Sequence, residues 1–190
     1  LEHVLGALVA VDGSHRSTRP TMSVRLGTAT LLADGSDRAI VERLDRHGLA
    51  PHRLFIEVCG PIAVTEQERL GVKLQSLRDA GVRVTLCDVA CTDTAFARLR
   101  ALPFDRLHLG ACCIAAIARP QEQAIVRAVL ALARDLSIDV VADGVETEAQ
   151  DRALRRLGCS LAHGARFGDP AAFPQQPRLA NPVTGSSPDG

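Results

Sequence analysis

The feature that most constrains this chain is an alternation of short apolar runs with longer segments carrying helix start and stop signals. Met22–Leu26, Leu54–Val58, Arg83–Asp88, Arg106–Leu109, Asp139–Ala142 and Leu161–Ala162 read as six strands. Between them, Ser36 predicts the N-cap of a helix through His47, stopped by Gly48. Thr65 and Glu68 predict a capping box opening a helix to about Ala80, ended by Gly81. A helix from near Thr94 has to stop before Pro103, whose ring disfavours helical backbone in the preceding residue. Pro120 suits the first position of the next helix, where Ile125, Val129, Leu132 and Leu136 recur every three or four residues and predict one buried stripe. Thr147 and Gln150 repeat the capping box before a helix ending at Gly158. Strands and helices alternating over short connections require parallel strands with right-handed crossovers, either a doubly wound sheet or a (β/α) barrel. In both, chemistry collects where the strands end at their C-terminal edge.

Composition narrows the function classes. The 190 residues fit one domain, and 22 basic residues cancel 22 acidic ones, leaving no electrostatic footprint for nucleic acid or an anionic membrane surface. Apolar runs such as Ala128–Ala133 fall far short of the roughly 20 residues that span a bilayer. Leu5–Val11 lacks the basic flank and cleavage site of a signal peptide, so a cytoplasmic location is expected. Five Phe with no Tyr or Trp argue against base stacking. The six cysteines (Cys59, Cys87, Cys91, Cys112, Cys113, Cys159) are expected as buried reduced thiols, and pairing of Cys112 with Cys113 is disfavoured because adjacent side chains point apart in any extended segment. From Pro174 the composition shifts to Pro, Gly, Ser and Asn. The expectation is a domain over residues 1–173 and a disordered tail, clearest over Pro177–Gly190.

The strands are left by Glu57 and Cys59, by Cys87 and Asp88, by His108 and Gly110, by Asp143 and Glu146, and by His163. Carboxylates and imidazoles converging on one mouth suit hard divalent cations, two of which can hold the attacking water and leaving oxygen of a phosphoester. Plainer roles compete. Glu57 and Asp88 can pair with Arg25 or cap loops, Glu146 and Thr147 can shape a helix start, and His108 and His163 can be structural histidines. Cys59, Cys87 and Cys112 or Cys113 beside His108 would make a soft-metal site, a reading that no C-x-x-C spacing supports.

The segment Val140-Val141-Ala142-Asp143-Gly144-Val145-Glu146-Thr147 resembles the V-V-A-E-G-V-E-T motif of the EAL-domain family, bacterial (β/α) barrels that hydrolyse cyclic-di-GMP with Mg²⁺ or Mn²⁺. Ile56-Glu57-Val58-Cys59 is similar to the family's E-I-T-E strand, and Leu86-Cys87-Asp88-Val89-Ala90-Cys91-Thr92 to L-D-D-F-G-T-G. Residues 102–110 resemble L-P-V-D-x-L-K-I-D, and Gly158-Cys159, Ala162-His163-Gly164 and Phe167-Gly168-Asp169-Pro170 resemble G-C, A-Q-G and F-G-R-P. The match spans roughly residues 22–170. It implies a TIM-like (β/α) barrel of the EAL type, with six of eight strands identifiable. Leu1–Val11 resembles the helix before the family's Asn-bearing strand, which implies an N-terminally incomplete member.

The resemblance also implies which positions would hold metal, and several are substituted. Arg25 stands at the Asn, Cys87 at the first Asp of the pair, His108 at the Lys, Gly110 at the following Asp, and His163 at the Gln of A-Q-G. Glu57, Asp88, the shortened carboxylate Asp143, and Glu146 remain as a vestigial metal or ligand site. The expectation is a catalytically inactive regulatory module of cyclic-di-GMP signalling, with no metal or other cofactor. It would act through a protein partner or as a homo-oligomer, without nucleic acid or membrane. The alternatives are a cyclic-di-GMP receptor without turnover, with Arg25 facing a phosphate, and a metal-dependent cyclic-di-GMP phosphodiesterase.

Overall fold

The computed structural model describes residue 5 and residues 21–60, 62–90 and 95–168. Within them the elements are β1 (Met22–Gly27), α1 (Thr28–Leu32), α2 (Ser36–Arg46), β2 (Leu54–Cys59), α3 (Val64–Asp79), β3 (Arg83–Val89), α4 (Ala95–Ala101), β4 (Arg106–Leu109), α5 (Ala111–Ala115), α6 (Pro120–Asp135), β5 (Asp139–Ala142), α7 (Glu148–Leu157) and β6 (Leu161–Ala162). All six strands pair in parallel, in the order of the sequence.

That order decides between the two architectures. A doubly wound sheet reverses its strand order at a switch point, whereas here every step is to the next strand in the same direction. Right-handed crossovers repeated that way put all the helices on one face, which is the wall of a (β/α) barrel. Among the described residues the wall is open, with β1 and β6 at its edges.

The two faces of the wall follow the period of two. Val24, Ile56, Val58, Val84, Leu86, Leu107, Leu109 and Val140 share the helix-facing side and join one core with Leu70, Leu74 and Leu77 of α3 and Val126, Val129 and Leu130 of α6. Each such Leu moved out of water contributes about 1.5–3 kcal/mol. The register puts Arg25, Glu57, Thr85 and Arg106 together on the other face, the barrel interior. Arg106 stacks there 3.8 Å from the Phe55 ring centroid.

Several expectations are corrected. Ser36 opens α2 but does not cap it: Gly35 does, in left-handed backbone (φ 70°), while the Ser36 hydroxyl donates to the Leu31 carbonyl and satisfies the end of α1. Thr65 and Glu68 form no capping box, because α3 starts at Val64 and places Thr65 inside the first turn. The buried stripe of α6 is Val126, Val129, Leu130 and Ala133, with Ile125 and Leu136 exposed. In a helix this rich in Ala, Leu and Val the period is fixed but its phase is chosen by the sheet. The Thr147–Gln150 capping box forms, and Gly158 closes α7 in left-handed backbone. The expected Leu1–Val11 helix lies outside the described residues except for Leu5, which is helical and buried, and so does the expected tail from Pro174.

Cysteine is the largest correction. Cys59 and Cys87 are joined as a disulfide, with Cα atoms 5.1 Å apart, and Cys112 is also disulfide-bonded. The expected reduced, buried state holds for Cys113 and Cys159. Cys112 and Cys113 lie on the short helix α5 rather than in an extended segment, with their sulfurs 3.8 Å apart.

Candidate functional site

Adjacent strands deliver their side chains to one mouth. The β1–β2 register pairs Arg25 with Glu57, and the Arg25 Nε lies 3.4 Å from the Glu57 carboxylate. The Arg25 Nη2 also reaches to 4.0 Å from Asp143, the residue that follows the last of β5. The opposite oxygen of Asp143 lies 3.2 Å from Nδ1 of His163, and the His163 ring meets His108 edge to face, centroids 5.3 Å apart. A continuous line of groups therefore runs Glu57–Arg25–Asp143–His163–His108.

Backbone bonds hold the carriers of this line. The Asp143 N–H donates to the Leu109 carbonyl at 3.0 Å and the His163 N–H to the Ala142 carbonyl at 2.9 Å, so both residues extend the sheet ladder beyond the strands. The Val145 N–H returns to the His163 carbonyl at 3.0 Å. Gly164 (φ 145°) makes that return feasible, since a Cβ there would overlap the Val145 backbone.

His108 is the most enclosed member, 3% exposed, and its Nδ1 is buried without a hydrogen-bond partner among the described residues. Burial holds its pKa below the usual histidine value, against the pull of the Glu57 charge. Arg25 is the reverse: 62% of its side chain is exposed, so the guanidinium reaches the carboxylates from the solvent side.

Two groups among the described residues have donor atoms close enough to share an ion, each set lying within 4.8 Å. One is Glu57, Cys59 and Cys87; the other is His108, Asp143 and His163. The first is disabled as found, because both sulfurs are in the disulfide. The remaining sequence-predicted residues do not join either group. Asp88 is exposed in left-handed backbone (φ 57°) at a register shift between Leu86 and Val89, which removes it from the line. Glu146 is exposed, and its backbone N–H donates to the Gln150 side chain that completes the helix cap. Gly110 is buried and serves as the N-cap of α5.

Sequence reasoning missed the Cys59–Cys87 bond, although the signal was present: Val58 pairs with Leu86, so the next residue on each strand is a cysteine. It also missed Asp105 at the opposite, N-terminal rim. That carboxylate accepts two bonds from Arg78 Nε (both 3.2 Å), one from its Nη2 (2.9 Å) and one from the Val84 N–H (2.9 Å), clamping β4 to β3.

The chain and its fold have counterparts among known proteins. The family model described as "EAL domain" matches residues 1–170. The chain is 32% identical over 172 residues to the bifunctional diguanylate cyclase/cyclic di-GMP phosphodiesterase MucR of Pseudomonas aeruginosa, covering 90% of this chain and 24% of that protein. It is 37% identical over 125 residues to an uncharacterized signaling protein of Caulobacter vibrioides, covering 65% of this chain and 16% of that one. The chain thus spans a quarter or less of these relatives. Among solved structures, the EAL domain of Mycobacterium smegmatis DcpA superposes with a TM-score of 0.83 at 25% identity, over 88% of this chain and 76% of that chain. The cyclic-di-GMP complex of the MucR phosphodiesterase superposes at 0.79 and 30% identity, over 88% and 68%.

Proposed function

Because the chain belongs to the EAL domain family, we propose that it is a cyclic-di-GMP signalling module that does not hydrolyse the nucleotide and works through protein contacts. The observation that carries this reading is Arg25, whose guanidinium lies between Glu57 and Asp143, the carboxylates a metal pair would need. Two dications close together require several anionic oxygens to offset their repulsion and replace lost water. Here two carboxylates share the Arg25 guanidinium, a cation standing where a metal would be held, Asp88 stands apart, and Cys87 is tied to Cys59. The residues present do not fit a hard-metal pair.

A second reading has its own observation. Arg25 is largely exposed at the mouth, and a planar guanidinium can pair with a phosphate through two parallel hydrogen bonds. The MucR relative was solved as a cyclic-di-GMP complex, so a receptor without turnover is the alternative.

The test is incubation of the chain with cyclic-di-GMP and Mn²⁺, followed by chromatography for the linear dinucleotide, alongside calorimetry with the same ligand. Neither product nor binding heat is expected. Heat without product moves the assignment to the receptor, and product accumulating over many turnovers overturns both readings.

A further inference from the structure

The imidazoles at His108 and His163 do not fit a hard-metal pair, but their chemistry points elsewhere. We propose that His108, Asp143 and His163 form a site for one borderline divalent ion of the Zn²⁺ class, held by two imidazole nitrogens and one carboxylate oxygen.

Three observations converge. One donor atom from each residue already lies within 4.8 Å of the others, and the three come from the ends of the neighbouring strands β4, β5 and β6. Ligands about 2.0–2.1 Å from a tetrahedral zinc sit roughly 3.3 Å from one another, so modest side-chain rotation closes the set. The Asp143–His163 distance of 3.2 Å is already there. Finally, His108 is enclosed by the protein while its Nδ1 has no partner among the described residues. A buried imidazole nitrogen left unsatisfied costs free energy, and a metal bond at that Nδ1 would satisfy it.

The donor set selects the ion. Imidazole favours Zn²⁺, Ni²⁺ and Cu²⁺ over Mg²⁺, which takes oxygen ligands and keeps its water. Three protein ligands leave a fourth position open toward the solvent side, where His163 is half exposed. Arg25 opposes the ion, being 4.0 Å from Asp143, but its closer partner is Glu57. Removing its charge therefore strengthens binding.

Co²⁺ is the probe, because its visible spectrum reports coordination number and Zn²⁺, having no such bands, bleaches them when it replaces the cobalt. The untagged full chain, titrated with Co²⁺, is expected to take up one equivalent with the visible bands of a four-coordinate ion, displaced by Zn²⁺ and not by Mg²⁺. His163→Ala changes a half-exposed side chain and should weaken binding by at least about tenfold. His108→Gln should do the same, a Cys59→Ser/Cys87→Ser double variant should bind as before, and Arg25→Gln should bind more tightly. No cobalt uptake, or uptake unchanged in His163→Ala, overturns the site. So does loss of binding with the cysteines, which would assign the ion to thiolates. This outcome is read by absorption and hydrolysis by the linear dinucleotide, so the two proposals fail separately.

Discussion

Single residues explain both the precision of the mouth and the limits of reading it in advance. Gly164 occupies left-handed backbone against Val145, so Gly164→Ala combines a strained φ with a backbone overlap. It should destabilise by more than about 1 kcal/mol in urea denaturation, because the native conformation is incompatible with a side chain. Asp105 is expected to cost more. Asp105→Ala strands the Arg78 guanidinium and the Val84 N–H together, a loss on the order of 2–3 kcal/mol by the same measurement. Arg25 is marked only by the family resemblance, whereas Glu57, Asp143, His108 and His163 could be placed at the rim from sequence, since each sits at or just beyond a strand end. Asp88 could not. The local register shift at Leu86–Val89 and the positive φ of Asp88 are set by how β3 meets β4, a tertiary matter that no local pattern encodes.

At the scale of elements, caps and phases proved less readable than strands. All six strands fall within one residue of their expected bounds, because Val, Leu and Ile cluster there between turn signals. The short helices α1 and α5 leave no such signal, being too brief to show a period. The joint between α2 and α3 shows what sequence alone cannot supply. Asp37, in the first turn of α2, accepts from Lys73 Nζ and Ser76 Oγ of α3, both at 2.8 Å. The Lys73 hydrogen bond, aided by Ser76, lowers the Asp37 pKa from 3.8 to about 2 against the opposing effect of burial. A carboxylate depressed in the folded state contributes stability above its unfolded pKa, and that contribution fades as pH falls through its folded pKa. Stability should therefore drop between about pH 4 and pH 2, by on the order of 1 kcal/mol from this group once solvent screening is counted. Asp37→Asn should flatten that segment of a thermal-denaturation series, and an unchanged slope would remove the joint from the account.

At the scale of the whole molecule, strictly sequential strand order makes the described residues an open arc of barrel wall, with β1 and β6 each paired on one side. Exposed strand edges are templates for pairing with another chain, which is why barrels close. The reading of this chain as a contact module therefore predicts self-association: sedimentation velocity at micromolar concentrations should show a species heavier than the 20.2 kDa chain. A single monomer peak would count against it. Exclusion of a metal pair from the mouth turns on one guanidinium, that of Arg25. Its most direct test is anomalous scattering from crystals soaked in Mn²⁺. No pair of manganese ions is expected between Glu57 and Asp143, with Arg25 still bridging them. Two adjacent peaks at those carboxylates, with Arg25 displaced into solvent, would contradict it.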